Sequence, residues 1–223
     1  MATVYFLRHG ARESGPGDTS LSPLGRQQVH ALARRLALRP VRAIYSSPRL
    51  CAWETGVAIS TTHKLPLHFD ARLRDRANWG DIPHQSLAQY LAIWQRCNRL
   101  RDQAPPGGVS SRQAGARIEQ LVKDAHDEYP SGAVVAITHG GALMDFLRNV
   151  FPLQVLARYN AAVCLDPYSS GVLPEASLTV VEYDGRRFSI NRLGDSDHLA
   201  RLFQRPTASR FTPHFAPGLA VAA

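Results

Sequence analysis

Phe6-Leu7-Arg8-His9-Gly10 and Ala136-Ile137-Thr138-His139-Gly140 lie far apart in the chain and end alike, in an apolar run closed by histidine and glycine. Thr3 to Leu7, ahead of the first histidine, are apolar, β-branched or aromatic and read as a buried strand. Gly132 to Ile137 is the cleanest such run in the chain and does the same for the second. In an open α/β sheet, ligands bind beyond the carboxyl ends of the strands. Two imidazoles placed at such ends can converge on one point.

Working outward from these strands, Ser22 is a helix N-cap with Pro23 at the first helical position. Leu24, Gln28, Val29, Leu32 and Leu36 recur at helical spacing until Pro40 ends the run. Val41 to Tyr45 reads as a second strand, leading through Ser46-Ser47-Pro48 into a helix that runs to about Ser60. Leu65 to Phe69 is a short third strand, and residues 70 to 84, rich in Arg, Asp, Gly and Pro, form a long irregular connection of the kind that carries function. Helices are expected over Ser86–Arg101, Ser110–Tyr129 and from Gly140 through Phe151. Ala176–Tyr183 and Arg187–Asn191 flank Asp184-Gly185, a strong hairpin signal. This alternation predicts a three-layer α/β/α sandwich with a mostly parallel sheet and one antiparallel C-terminal hairpin. Residues 1–200 are expected to form a single catalytic domain and 201–223 a C-terminal tail, adherent or frayed.

At 223 residues, with 44% hydrophobic and 20% charged side chains, the chain is neither disordered nor fibrous. No apolar run approaches the roughly 20 residues that a membrane-spanning helix requires. The N-terminal run is short, with no basic segment ahead of it and no cleavage site behind, so the expectation is a cytoplasmic protein without membrane attachment. Cys51, Cys97 and Cys164 are odd in number, lack metal-like spacing and read as reduced thiols. A formal charge of +8 favours anionic partners, but the charge is dispersed and mostly arginine. Without an RNA or DNA motif, nucleic acid ranks last among them.

The chemistry that fits the strand ends is phosphoryl capture. A neutral imidazole attacks phosphorus while fixed cations hold the equatorial oxygens. Arg8 beside His9 provides a fork suited to phosphate, and the glycine after each histidine is expected to let the backbone approach a ligand closely. A metal site is the alternative, but HExxH, clustered carboxylates and Cys–His spacing are all missing, so no cofactor is expected.

Leu7-Arg8-His9-Gly10, Leu21-Ser-Pro-Leu-Gly-Arg-Gln27, Tyr45-Ser-Ser-Pro48, Thr55, Leu73-Arg-Asp75 and Thr138-His-Gly-Gly141 occur in the order found in the histidine phosphatase (phosphoglycerate mutase-like) superfamily, which the chain resembles over residues 3 to 199. Leu173-Pro-Glu-Ala-Ser177 and Asp197-His-Leu199 are similar to that family's C-terminal strand and ending. The resemblance implies that His9 is the nucleophile that becomes phosphohistidine and that Arg8 and His139 belong to the phosphate pocket, His139 as a cation once substrate is bound. It implies that Asp75, where the family usually carries Glu, protonates the leaving oxygen and then activates water. The competing reading of Asp75 is a surface ion pair with Arg72, Arg74 or Arg76.

One departure stands out. The family places a phosphate-binding arginine three residues after the Pro of Ser-Ser-Pro, and that position is Cys51 here. A thiol cannot supply a cationic fork, and losing one such donor costs transition-state stabilisation of about 3–4 kcal/mol by analogy with oxyanion holes. Arg12 and Arg49 are the candidates to compensate. Some family branches carry Arg at the position of Arg12, whereas Arg49 lies about 200° around a helix from position 51 if both are helical. A Cys-x5-Arg phosphatase loop is excluded, because the sixth residue after Cys51 is Val57.

The leading function is therefore a metal-independent phosphatase acting on a phosphorylated small molecule or phosphoprotein through phospho-His9. A catalytically weakened phosphate-ligand binder is the alternative from another class. A mutase is disfavoured because Asp75-Arg-Ala-Asn-Trp-Gly80 stands where the family's mutases carry an ERHYG-like stretch. Trp79, Tyr90 and Trp94 are candidates for a pocket wall, although their spacing favours core filling. The oligomeric state is open, a dimer being one option.

Overall fold

The computed structural model describes residues 1–169 and 171–203, so the expected tail lies, from residue 204 onward, outside the described residues. Six strands form one sheet in the order β3-β2-β4-β1-β5-β6. They are β1 (Ala2–Arg8), β2 (Ala43–Ser46), β3 (Leu67–Phe69), β4 (Ala133–Thr138), β5 (Leu178–Tyr183) and β6 (Phe188–Asp195). β3, β2, β4 and β1 run parallel, while β5 is antiparallel to both β1 and β6. Asp184 Oδ1 accepts from the Arg186 and Arg187 amides in the hairpin turn, where Gly185 has φ 93°. The expected sandwich and hairpin are both present.

The period-2 alternation of the central strands sorts their side chains into two cores. Val4, Phe6, Val134, Ala136 and Val181 face α4 (Ser111–Glu128) and α5 (Gly140–Val150). Leu7, Val135, Ile137, Leu178 and Val180 face α1 (Pro23–Leu36) and α2 (Leu50–His63). Burying each large aliphatic side chain contributes about 1.5–3 kcal/mol, which makes the central strands the rigid platform for their C-terminal ends.

The helix starts follow their capping chemistry. Ser22 Oγ accepts from Gly25 N with Pro23 in the first turn, and Ser86 and Ser110 each complete a capping box with a glutamine three residues on. Leu24 departs from the expected buried stripe of α1 and is 42% exposed. α6 (Leu153–Ala157), following Pro152, was not expected; at five residues it is too short to show a helical period. α3 (Leu87–Arg99) buries only Cys97 and leaves Leu87 and Leu91 exposed, so it is not a core helix.

Candidate functional site

The register Arg8↔Thr138 between β1 and β4 sets His9 and His139 side by side, and the His9 amide donates to Thr138 O at 3.1 Å. The two rings meet edge to face with centroids 5.1 Å apart, 7% and 6% exposed. β2 ends on the same line. Ser47 N donates to Ile137 O at 2.9 Å, and Ser47 Oγ lies 2.8 Å from His139 Nε2. Three neighbouring parallel strands thus deliver one polar cluster at their carboxyl ends.

His9 Nδ1 is 2.8 Å from Gly10 O, an acceptor, so Nδ1 carries the hydrogen and Nε2 the lone pair. Burial, together with the nearby His139 and Arg8, holds the His9 pKa well below the usual imidazole range. Burial also lowers His139, to about 3, with Arg49 and Arg12 adding to the effect. Both rings are neutral in the free protein near pH 7.

The candidate cations ring this pair. Arg8 donates to Leu173 O at 2.5 Å and lies 3.6 Å from Glu175. Arg12 reaches the same cavity and donates to Thr19 Oγ1 at 3.3 Å; among the described ion pairs it has no carboxylate partner. Arg49 also lines the cavity, paired with Asp81 at 2.9 Å. The helical-wheel argument against Arg49 does not hold, because this residue is the extended N-cap of α2 (φ −69°, ψ 141°) and not part of the helix. Cys51 is 4% exposed, yet it lines the cavity from the first turn of α2. Burial pushes its thiol pKa up to about 11 against the pull of Arg12, so it is a neutral wall.

Asp75 is brought in by the irregular 70–84 segment, which is fastened to β4 where Thr138 Oγ1 donates to Leu73 O at 2.7 Å. Its Oδ1 accepts from Ala142 N at 2.7 Å in the first turn of α5, where the helix dipole favours a carboxylate. Burial raises the Asp75 pKa, while Arg76 and the Ala142 amide work in the opposite direction. The surface-pair reading of Asp75 fails, since Arg72 pairs with Asp70 and Asp124 and Arg76 with Asp145.

The two glycines that follow the histidines differ: Gly140 lines the cavity, where a Cβ would sit 3.3 Å from Arg8 Nε, whereas Gly10 is occupied by packing. A Cβ on Gly10 would sit 2.7 Å from Gly25 O and 2.8 Å from Val29 Cγ2, so Gly10 permits close packing against α1. A Cβ on Gly141 would sit 2.7 Å from Asp75 Oδ1 and 2.4 Å from Trp94, so that glycine admits the carboxylate and the indole.

Tyr90 and Trp94 correct the core expectation: both are half-buried and line the cavity, with Tyr168 completing the aromatic wall. Trp79 is not part of that wall and donates from Nε1 to Gln85 O at 3.0 Å. Ser47, Glu175 and Tyr168 were missed. The first two stood inside recognised motifs without a role, and nothing local marked Tyr168.

A model of the histidine phosphatase superfamily (branch 1) matches residues 4–196, and the chain belongs to that family. A glucosyl-3-phosphoglycerate phosphatase of Mycolicibacterium vanbaalenii is 33% identical over 68% of this chain and 75% of its own length. A probable phosphoglycerate mutase of Yersinia pestis is 27% identical over 89% of this chain and 95% of its own. Among solved structures, a mycobacterial glucosyl-3-phosphoglycerate phosphatase with inorganic phosphate is 26% identical, with a TM-score of 0.66 over 88% of this chain and 98% of that one. YhfR of Bacillus stearothermophilus shares the fold at 23% identity and TM-score 0.67, covering 89% of this chain and 100% of that one. The enzyme class is accordingly a phosphoric monoester hydrolase. No helix among the described residues is long and apolar enough to cross a membrane.

Proposed function

We propose that the protein hydrolyses small phosphomonoesters through a phosphohistidine on His9. The observation that carries this reading is the His9 ring itself: Nδ1 is committed to Gly10 O and the neutral Nε2 is available beside His139 and three arginines. In the first step the Nε2 lone pair attacks phosphorus and the bond to the leaving oxygen breaks. Protonated Asp75 gives its proton to that oxygen, and the alcohol departs. In the second step water attacks phosphorus, Asp75 takes its proton, and the P–N bond breaks to release phosphate and neutral His9.

Arg8, Arg12 and Arg49 are assigned the non-bridging oxygens, as donors placed before the reaction begins. A bound phosphate dianion opposes the burial that keeps His139 neutral, and this is the condition under which its ring becomes a cation. Relatives named as glucosyl-3-phosphoglycerate phosphatases at 32–33% identity favour hydrolysis over phosphoryl return and support a small hydroxylated phosphate ester as substrate. A weakened binder, the alternative raised by Cys51, is disfavoured because Arg12 and Arg49 restore guanidinium charge around the same cavity.

Release of phosphate from an aryl phosphate and from 3-phosphoglycerate by wild type and His9→Ala tests the proposal. Turnover by wild type and a loss of at least about a thousandfold in the variant are expected, as for removal of other nucleophiles. An inert wild type, or a variant that keeps its activity, would overturn it.

A further inference from the structure

One ring nitrogen of His9, one of His139 and the Cys51 sulfur all lie within 4.8 Å of one another, and all three residues are buried. They arrive from β1, β4 and α2, which is why their sequence spacing carries no metal-like pattern. One nitrogen of each ring is already held by the protein, His9 Nδ1 by Gly10 O and His139 Nε2 by Ser47 Oγ, each at 2.8 Å, which leaves His9 Nε2 and His139 Nδ1 as the ligand atoms. Metal-binding histidines are oriented by such partners, which fix the tautomer and leave the second nitrogen with its lone pair.

We propose that His9, Cys51 and His139 form a three-ligand site for a thiophilic divalent transition ion, Zn2+ foremost, whose binding silences the phosphatase by occupying the lone pair of His9. Two imidazoles and a thiolate with one open position match the ligand set of open tetrahedral zinc sites. Tetrahedral Zn–N and Zn–S bonds place ligand atoms about 3.4–3.6 Å apart, so the cluster closes by about 1 Å when it binds. Oxygen-seeking Mg2+ and Ca2+ find no suitable ligand set in these two imidazoles and one thiol. As the metal–sulfur bond forms, the thiol proton leaves to solvent.

The pocket arginines oppose a bare dication. The new thiolate removes one unit of charge, and the open position takes an anion that Arg8 and Arg12 can hold. The site depends on a thiol standing where the family carries arginine, so it is a property of this chain and not of the fold. Metal binding follows from the geometry alone; the silencing rests on the phosphohistidine reading.

The test is a titration of chelator-treated, desalted full-length protein with Co2+. The expected spectrum has the intense visible bands of tetrahedral cobalt and a near-ultraviolet thiolate-to-cobalt band, both abolished by Zn2+. Cys51→Ser should lose the thiolate band and bind at least about tenfold more weakly, whereas Cys164→Ser, which changes an exposed thiol, should match wild type. A six-coordinate spectrum without a thiolate band, or unaltered binding by Cys51→Ser, would overturn the site. In the phosphatase assay Zn2+ should inhibit wild type, with at least about tenfold more needed for Cys51→Ser; equal inhibition of both overturns the silencing. A cobalt–thiolate band in a protein that hydrolyses no phosphate ester upholds the site and overturns the phosphatase reading instead.

Discussion

Arg8, Arg12 and Arg49 line the cavity, whereas Arg76 packs on Trp94 and Tyr168 of its wall, and the two sets of guanidinium groups are treated differently. Arg76 is fully buried. Its Nη2 donates to Asn98 Oδ1 at 2.5 Å, and its Nε lies 3.2 Å from Asp145 Oδ2, off the line of a hydrogen bond but close enough for an ion pair. Trp94 and Tyr168 flank it, with ring centroids 4.0 and 5.1 Å from its Cζ. Asp145 in turn accepts from Ser111 at 2.6 Å and from Tyr168 at 2.5 Å. The pocket arginines are only partly paired. Arg8 holds Glu175 loosely, Arg49 shares a partly exposed Asp81, and Arg12 makes no ion pair among the described residues. A cation whose charge is answered inside the protein is architecture, and one left short of an anion is equipment for a ligand.

That contrast can be broken at its structural end first. Asp145→Ala leaves Arg76 buried without its counter-charge, and equilibrium unfolding in urea should show a loss of about 3–5 kcal/mol. A loss below about 1 kcal/mol would mean that Arg76 is held mainly by its aromatic neighbours. Arg12→Gln is the opposite experiment. Stability should stay within about 0.5 kcal/mol, while kcat/KM for an aryl phosphate falls by about 10²–10³, the cost of one oxyanion-type donor. An activity loss that tracked a stability loss would place Arg12 with Arg76.

The third test is the acid limb of stability. Since the His139 pKa is depressed to about 3, the native state binds fewer protons than the unfolded chain between that value and 6.5. Its contribution is fully present above pH 6.5 and is lost as pH falls through this window. Asp145, raised to about 6 by burial, acts in the opposite sense between 3.8 and 6, because its native state holds the extra proton. Comparing His139→Gln with wild type separates the two. The variant should lose up to about 1.4 kcal/mol per pH unit of slope in unfolding free energy between pH 6 and 4. Parallel curves would show that His139 is not kept neutral.

What the sequence made readable follows from how local each signal is. β1 and β4 announce themselves by unbroken apolar runs, and Arg8, His9 and His139 sit at their ends, so the centre of the site needed no long-range information. Asp75 could be named from its motif, but the bond to Ala142 N that orients it spans 67 positions and has no local trace. The Arg76–Asp145–Tyr168 cluster is hidden for the same reason, as three segments contribute one residue each. Tyr90 and Trp94 were misread because an i, i+4 aromatic pair looks the same whether a helix faces a core or a cavity. α3 buries too little of itself for its spacing to decide.

The ladder pairing of Arg8 with Thr138 has a last consequence. Neighbouring strands of a sheet hold their separation at about 4.8 Å whatever happens in the connections above them. The two imidazoles therefore share a ruler made of backbone, cut independently of the 70–84 segment and α3 that roof the cavity. Under the proposed mechanism, that roof can be rebuilt to admit another alcohol without recalibrating the distance over which phosphorus would be caught and released.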